Sequence, residues 1–315
     1  MAYCSYSCLV LSHLDLSQLE GAQITMDRRK ALLFLLTTVL LWSTSGLFVK
    51  VLDWHPLAVS GIRSAIAAVV IWAYLQRPQF VWSFTLIAGA IAYLGAQSLF
   101  VAATTLTSAA NAIFLQYTAP VWVALFGIWY LHERARPIDW WTMGAIFVGM
   151  ALFFGDQLST AGIQGNILAI IGGICFAWMI LFMRKQKDGS PEAIALLGNI
   201  LCALVGLPFV LMAWHEGTLP GPQSWIILVY LGVLQLGIPY LLYARSIRHL
   251  NAMEAVLIQT LEPILNPIWV FLVLQETPGP WSLAGGLVVL TAVTVRALVV
   301  AQNERLPRRQ PEPVA

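Results

Sequence analysis

The sequence predicts an all-α integral membrane protein of ten transmembrane helices, built as two inverted five-helix repeats with both termini in the cytoplasm. Three observations predict it: the scarcity of charge, the length of the apolar runs and the distribution of lysine and arginine. Of the 315 residues, 59% are hydrophobic and only 10% are charged, whereas a soluble domain carries roughly 25% charged residues. A chain this apolar has to use lipid as its solvent.

Ten stretches are long enough to cross a membrane. A spanning helix needs about 20 apolar residues, because the hydrocarbon core is about 30 Å thick and a helix rises about 1.5 Å per residue. The predicted spans are 32–51, 56–75, 82–103, 109–130, 138–154, 165–184, 191–213, 224–244, 252–274 and 280–301. The runs are continuously apolar rather than alternating, which favours helices over a β-barrel.

Basic residues mark one side of these spans. With a cytoplasmic N-terminus, only two of the 17 lysines and arginines fall elsewhere: Lys50 in an outer loop and Arg63 inside a span. This bias is the one that the positive-inside rule expects. A missed or additional helix would scramble the alternation, so the number of spans and their orientation are predicted together.

The chain is predicted to divide into four segments. Residues 1–25 contain no lysine or arginine, and their apolar stretch is too short for a signal peptide. We expect them to be a disordered tail, or to precede a true start at Met26. The first repeat is predicted at 26–155, the second at 156–301 and a cytoplasmic tail at 302–315.

Several classes of function are excluded by the composition. The net charge is only +2 and no basic stripe is present, so no nucleic-acid partner is expected. Neither a disulfide framework nor a metal site is predicted, because the cysteines and histidines lack the spacing that either needs. No histidine and no pair of aspartates lies deep inside a span, so we expect neither an enzyme nor a cofactor. The expected partners are the lipid bilayer and a small-molecule substrate, and the protein is expected to be a monomer or a homodimer.

An internal repeat relates the fourth span to the ninth. Three residues recur at an offset of 143 positions: Gln116, Pro120 and Glu133 in the first half become Gln259, Pro263 and Glu276 in the second. Because five is odd, the second five-span unit enters the membrane in the opposite sense. Inverted repeats are typical of carriers that work by alternating access. Gene duplication without mechanistic meaning is the alternative.

A family resemblance rests on Trp42 and Ser43, on Pro56 with Arg63, and on the two repeated frames just described. Over residues 30–301 the chain resembles the drug/metabolite transporter superfamily, in particular its EamA-type ten-helix members. The resemblance implies a carrier in the plasma membrane (the inner membrane of a bacterium) that exports amino acids or related metabolites without ATP. It also implies that the fifth and tenth spans are peripheral and that the others enclose a central cavity.

Two charged residues lie inside spans. Arg63 is about 12 Å below the outer end of its helix, and Glu262 is about 16 Å from the inner end of its own, at about 1.5 Å per residue. A charge at this depth costs at least about 2.5–3.5 kcal/mol, so it has to face protein or water. We predict that Arg63 binds the carboxylate of a zwitterionic substrate, and that Glu262 binds the amine or a coupling proton. The alternative is structural, with the two charges paired to each other or to backbone.

Polar residues within the apolar spans either join helices or line a pathway. They are Ser43, Ser45, Gln97, Asn111, Gln116, Asn199, Gln235, Gln259 and Asn266. Gln116 and Gln259 are predicted to line the pathway, because each precedes a repeated proline by one helical turn.

Deeper aromatic residues are predicted to bound a pocket, with ordinary packing as the alternative. Trp42, Tyr93 and Tyr240 are the candidates, and Tyr243 lies at a similar depth.

The repeated prolines and glutamates are predicted to shape and gate the site. Pro120 and Pro263 are expected to kink their helices and act as hinges, because a mid-helix proline removes one backbone hydrogen bond. Glu133 and Glu276 are expected to cap helices or to contact basic loop residues as gates.

The residues and the resemblance together predict a secondary transporter that exports amino acids or related zwitterions by alternating access. The alternative is a multidrug or lipophilic-cation exporter driven by proton exchange at Glu262.

Overall fold

A computed structural model describes residues 27–44, 48, 52, 54–78, 80–155, 158, 162–218, 221–274 and 279–305. The predictions for residues 1–25, for Glu276 and for most of the tail at 302–315 lie outside the described residues. The described residues form ten helical segments and no strand. Each segment overlaps one predicted span.

The helices are α1 (Arg28–Ser43), α2 (Pro56–Leu75), α3 (Phe84–Leu106), α4 (Ala109–Tyr130), α5 (Pro137–Phe153), α6 (Ile163–Lys185), α7 (Pro191–His215), α8 (Pro222–Ile247), α9 and α10 (Pro280–Arg305). Two of them are interrupted: α4 consists of α4a (Ala109–Gln116) and α4b (Ala119–Tyr130), and α9 consists of α9a (Ala252–Gln259) and α9b (Glu262–Leu274). Seven are long and apolar enough to cross a membrane, namely α2, α3, α4, α6, α7, α8 and α10. The all-helical, multi-pass fold is therefore confirmed, and the number of ten crossings stays a prediction.

Proline sets the start of many of these helices. It occupies the first helical position of five of them: Pro56, Pro137, Pro191, Pro222 and Pro280. The missing N–H of proline is not needed at that position, and its fixed φ already suits a helix. Asn251 caps α9a by accepting a hydrogen bond from the Glu254 amide at 2.7 Å, as expected of asparagine before a helix.

Helix α1 is followed by a turn at Thr44. It begins at Arg28 and its last residue is Ser43, and Phe48 further along the predicted span is again helical. The side chains of Ser43 and Thr44 donate to the carbonyl oxygens of Leu40 and Leu41 at 2.8 and 2.7 Å. Such local bonds compete with the backbone ladder and favour a helix end.

Contacts between helix termini show which helix ends lie at the same end of the bundle. Arg28 at the start of α1 pairs with Glu254 at the start of α9, at 2.5 Å. Arg184 at the end of α6 pairs with Glu133, which follows α4, at 2.8 Å. Glu133 also accepts a hydrogen bond from the Ala252 amide at the start of α9, at 3.0 Å. The related helices α4 and α9 therefore run antiparallel, and we call this end of the bundle the basic end.

Helices α5 and α10 pack mainly on each other. Their backbones approach closely, because a Cβ atom on Gly285 would lie only 2.3 Å from the carbonyl oxygen of Gly149. Glycine at a helix contact permits this approach in lipid. Large apolar side chains on both helices are exposed, among them Trp141, Leu287 and Leu298. Since α5 and α10 make so few contacts with the other helices, they lie at the edge of the bundle, as the resemblance implies.

Two equivalent contacts join α5 to α10, one towards each end. Arg296 Nε donates to Asp139 Oδ1 at 2.7 Å near the basic end, and Ser282 Oγ donates to the Phe153 carbonyl at 3.0 Å near the other. The offset of 143 residues that relates the two halves carries Asp139 onto Ser282 and Phe153 onto Arg296. The two halves therefore place a contact at equivalent positions, but one contact is an ion pair and the other is a neutral hydrogen bond.

We predict that the charged contact carries much more stability than its neutral equivalent. Arg296 and Asp139 side chains are only 2% and 3% exposed, so Asp139→Ala leaves a buried guanidinium whose remaining charged contact is the longer one to Glu254, at 3.7 Å. Removing one partner of a buried ion pair costs about 3–5 kcal/mol, whereas losing a neutral hydrogen bond at Ser282→Ala costs about 1 kcal/mol. Thermal unfolding in detergent should show a much larger fall in midpoint for Asp139→Ala. Equal falls for the two variants would contradict the prediction.

Candidate functional site

Each interrupted helix breaks just before its repeated proline. The breaks fall at residues 117–118 in α4 and 260–261 in α9, and Pro120 and Pro263 occupy the second position of the helix that follows. The sequence predicts that both helices are kinked at these prolines, and the structure shows a two-residue interruption of the helix before each of them. A proline ring would clash with the carbonyl of the preceding turn, whereas an early helical position needs no N–H donor. The hinge role of both prolines stays a prediction.

A hydrogen bond joins the two breaks. Tyr117 Oη donates to Glu262 Oε2 at 2.8 Å. Glu262 is the first residue of α9b, where the positive end of the helix dipole favours a carboxylate. The positions equivalent to Tyr117 and Glu262 in the other half are Thr260 and Ala119. The repeat therefore supplies a break in both halves, but Thr260 and Ala119 cannot form the equivalent of the bond between Tyr117 and Glu262.

Close packing by α6 accommodates the break in α4. A Cβ atom on Gly173 would lie 2.7 Å from the carbonyl oxygen of Gln116 and 3.2 Å from Oγ1 of Thr118. The Gln116 side chain donates to the carbonyl of Ala96 on α3 at 3.2 Å. Gln116 thus contacts both α3 and α6 beside the break. Its role in the transport pathway stays a prediction.

Arg63 is held by two neutral amides. Its Nη1 and Nη2 atoms donate to the side-chain oxygens of Gln235 and Gln97, in each case at 3.5 Å. Both contacts are at the long limit for a hydrogen bond. The Nε atom of Arg63 is buried and has no hydrogen-bond partner among the described residues. The guanidinium therefore keeps much of its capacity to bind an anion.

A π-helical stretch of α8 presents Gln235 to Arg63. It covers Leu231–Gly237, and such stretches are frequent at functional sites. A Cβ atom on Gly232 would lie 2.5 Å from Cβ of Ile66 on α2, so glycine allows α8 to approach the helix that carries Arg63. The sequence marks Gln235 as a polar residue in an apolar span but gives no sign of the π-helix.

Arg63 and Glu262 do not form an ion pair, which contradicts the structural alternative in which they bind each other. Arg63 instead contacts Gln235 and Gln97, and Glu262 contacts Tyr117. Both side chains are half-buried. Neither charge is repeated: Gly198 occupies the position equivalent to Arg63 at the offset of 135 residues that relates Pro56 to Pro191. The site thus holds one positive and one negative charge, each satisfied only by neutral side chains.

Four aromatic residues form a row beside these charges. Ring centroids lie 4.8 Å apart between Tyr93 and Tyr240, 5.1 Å between Tyr240 and Trp42, and 5.7 Å between Trp42 and Tyr243. All four are buried, and Tyr240 is close enough to Glu262 for an electrostatic interaction. The structure therefore brings the three predicted aromatic residues together. Gln259 lies beside Tyr243 and is fully buried.

Glu133 lies at the centre of the contacts that close the basic end. Its carboxylate accepts hydrogen bonds from Arg184 Nε at 2.8 Å and from the Ala252 amide at 3.0 Å. Arg184 also donates to the carbonyl oxygens of Ile247 and Arg248, both at 2.9 Å. The ends of α4, α6 and α8 and the start of α9 are therefore tied to one another. The gating role of Glu133 stays a prediction.

A second charged network lies beside the first. Glu254 pairs with Arg28 at 2.5 Å and approaches Arg296 at 3.7 Å, and Arg296 also binds Asp139. Sequence reasoning misses this network, because it names neither Asp139 nor Glu254 as a candidate and counts Arg296 among the cytoplasmic residues. The available signal is that Asp139 and Glu254 both fall in the first turn of an apolar helix.

Neutral contacts join the helices at the opposite end. Tyr230 Oη donates to Thr44 Oγ1 at 3.2 Å, and its ring lies 4.4 Å from that of Phe48. The part of the chain that the structure describes forms no ion pair at this end. Among the described residues, the ion pairs between helices therefore lie at the basic end.

Interrupted helices that meet inside a repeated, lipid-facing bundle are characteristic of membrane transporters, and this is the class to which the fold and site belong. The particular family is also shown. Residues 29–155 and, separately, residues 163–297 match the EamA-like transporter family, so the chain belongs to it. The resemblance drawn from the sequence is confirmed, and this family consists of transporters rather than enzymes.

Individual relatives are more distant. The chain is 29% identical over 163 residues to the uncharacterized transporter YxxF of Bacillus subtilis (strain 168), and it spans about half of that protein (51%) and 50% of itself. An uncharacterized transporter of Archaeoglobus fulgidus is 25% identical over 84% of this chain and 96% of its own length. The threonine/homoserine exporter RhtA of Escherichia coli (strain K12) is 25% identical over 62% of this chain and 64% of its own. A crystal structure with 18% identity has the same fold, with a TM-score of 0.75 over 88% of this chain and 100% of the other.

We predict that neutralising Glu133 loosens the basic end. A cavity of about 190 Å³ lies between α4b and α9a, and both Glu133 and Val123 line it. Val123 is only 2% exposed, so a cysteine there reports opening. Charge-assisted hydrogen bonds contribute about 1.5–3 kcal/mol, so Glu133→Gln should raise thiol labelling of Val123→Cys about tenfold. The reagent is a membrane-impermeant maleimide added from the side of the basic end.

The matched control for this experiment is Glu216→Gln. Glu216 is an exposed residue at the end of α7 on the opposite side of the bundle, so its loss should leave the labelling rate unchanged. The chain without the introduced cysteine is the blank. An unchanged rate in Glu133→Gln would show that this residue does not hold the basic end closed.

Proposed function

We propose that the protein is a secondary transporter that exports amino acids or related zwitterions across the plasma membrane by alternating access. One observation carries the proposal: Arg63 and Glu262 are two half-buried, opposite charges, and each is bound by neutral side chains. A zwitterion offers one charge to each. The threonine/homoserine exporters among the relatives support an amino acid as the substrate.

The long contacts of Arg63 favour binding of a carboxylate. A guanidinium can form two parallel hydrogen bonds with a carboxylate, and these are shorter and roughly twice as strong as bonds to neutral groups. Substrate binding would therefore replace the 3.5 Å contacts to Gln235 and Gln97 with stronger ones. The two glutamines then serve to hold the guanidinium in place while the site is empty.

The second charge suits an ammonium group. Glu262 accepts one hydrogen bond, from Tyr117, and a carboxylate has room for several more. A proton can occupy the same carboxylate when the substrate leaves, which would couple export to proton entry. The bond to Tyr117 links the occupancy of Glu262 to the break in α4.

The closed basic end supports one state of an alternating-access cycle. The lysine and arginine distribution predicts that this end faces the cytoplasm. With the ion pairs of Glu133 and Glu254 formed, the site would communicate with the outer side. Opening the basic end requires these pairs to separate, and the neutral contacts at the opposite end would then close.

A second candidate function is export of lipophilic cations in exchange for protons at Glu262. The aromatic row favours it, because Trp42 and Tyr240 lie beside the carboxylate region and aromatic faces attract cations. In this function Arg63 would have no substrate group to bind. Sensitivity of transport to Arg63 therefore separates the two candidates.

Counterflow in liposomes tests the proposal. The full chain is reconstituted, and uptake of a labelled amino-acid mixture is measured with and without a pH gradient. We expect Arg63→Ala to lower the uptake at least about tenfold, because a lost charge-assisted bond contributes about 1.5–3 kcal/mol. Glu262→Gln should lower the uptake and also abolish any response to the pH gradient, because the amide does not exchange a proton.

Arg77→Ala is the matched control for Arg63→Ala. Arg77 is an exposed arginine just after the same helix, so uptake should be unchanged. Thermal stability of each variant separates loss of binding from loss of folding. Folded protein that carries no amino acid would overturn the proposal, and a panel of lipophilic cations would then test the second candidate.

A further inference from the structure

Four of the buried polar atoms without partners lie on α1, α8 and α9a. Trp42 Nε1, Tyr243 Oη and both amide atoms of Gln259 have no hydrogen-bond partner among the described residues. The three residues are 4%, 0% and 0% exposed. Buried polar groups are nearly always hydrogen-bonded, so each exception needs an explanation.

The three residues are neighbours in space. The rings of Trp42 and Tyr243 lie 5.7 Å apart, and the Tyr243 hydroxyl lies close to the Gln259 amide but outside hydrogen-bond geometry. The group is continuous with the charged site, because Gln259 ends the half-helix before Glu262 and Tyr240 contacts the ring of Trp42. Anything bound between Arg63 and Glu262 would therefore lie close to it.

The contrast with the other half of the molecule is informative. Gln116 is the repeat equivalent of Gln259, and its amide is satisfied by the carbonyl of Ala96. Gln97 and Gln235 are satisfied by Arg63. Of these four glutamines in the core of the bundle, Gln259 alone has neither amide atom bonded within the described structure.

We propose that Trp42, Tyr243 and Gln259 form a specificity subsite for a neutral side chain that both donates and accepts hydrogen bonds. The inference rests on the proposed function, in which Arg63 and Glu262 hold the zwitterionic part of the substrate. The indole N–H can only donate, whereas the phenol and the amide can each donate and accept. A hydroxyl or a carboxamide complements this set, and an apolar side chain leaves all of it unpaired.

Selectivity follows from the unpaired groups. A site built to hydrogen-bond a substrate group rejects the analogue that lacks it far more strongly than an apolar pocket rejects a missing methylene. The penalty for an apolar side chain arises because buried polar atoms stay without partners. Water trapped among the three residues is the competing occupant, since buried water commonly satisfies such atoms.

Isosteric competitors test the proposal. Threonine and valine have nearly the same shape and differ by a hydroxyl in place of a methyl group. In counterflow with the full chain in liposomes, threonine should inhibit uptake of the labelled amino-acid mixture at least about tenfold more strongly than valine. Glutamine should likewise exceed methionine.

Two variants locate the effect. Gln259→Met preserves the volume of the side chain but removes its hydrogen bonds, and Tyr243→Phe removes only a hydroxyl. Each should bring the threonine-to-valine ratio towards one while valine still competes. The matched control is Trp54→Phe, because the Trp54 indole nitrogen is also buried without a partner among the described residues but belongs to a separate apolar cluster. Its ratio should equal that of the unaltered chain.

The outcomes separate this inference from the proposed function. Equal inhibition by threonine and valine in the unaltered chain, or a ratio that survives in both folded variants, would overturn the subsite and leave water as the occupant. Absence of counterflow for every amino acid would overturn the proposed function and this inference with it. Loss of selectivity in both variants, with the control unchanged, supports the subsite.

Discussion

The constraint on which this structure depends is that a backbone N–H or C=O group cannot face lipid without a hydrogen-bond partner. Helices α4 and α9 break at residues 117–118 and 260–261, and each break frees such groups. They have to lie inside protein, so other helices must surround them. Gly173 lets α6 lie against the first break, while α5 and α10, which have no break, are free to pack at the edge of the bundle. Whether a helix lies at the centre or at the edge of the bundle therefore depends on whether its backbone is interrupted.

The internal repeat fixes the scaffold but not the chemistry. Both halves keep the break and the proline after it, so the positions are determined by backbone geometry that any carrier of this shape needs. Arg63, Tyr117 and Glu262 have Gly198, Thr260 and Ala119 at the equivalent positions. The charges are thus absent where symmetry would repeat them. Two carboxylates at symmetric positions would repel each other across one site. A single arginine and a single glutamate instead give the site a positive and a negative group, which is the charge pattern that a zwitterion complements.

Sequence reasoning predicts the helices well because long apolar runs are a local property of the chain. It also places Arg63 and Glu262 at depth, since a charge in such a run is conspicuous. It misses the role of Tyr117, because a hydrogen bond between residues 145 positions apart depends on how distant helices pack. The same holds for Asp139 with Arg296. The breaks in α4 and α9 were expected as kinks, because a proline in a span shows that the helix is disturbed without showing whether it bends or stops.

The ion pairs of the basic end differ in exposure, and this separates fixed contacts from contacts that can open. Arg184 and Glu133 side chains are 13% and 28% exposed, whereas Arg296 and Asp139 are 2% and 3% exposed. A buried pair contributes little net stability over an apolar contact, but separating it without water leaves two costly charges. Arg184 and Glu133 already touch solvent, so water can rehydrate both as they part and the closed and open states can have similar energies. Arg296 and Asp139 have no such access. They therefore hold α5 and α10 together as one unit, and in the proposed cycle the contacts of Glu133 are the ones that separate.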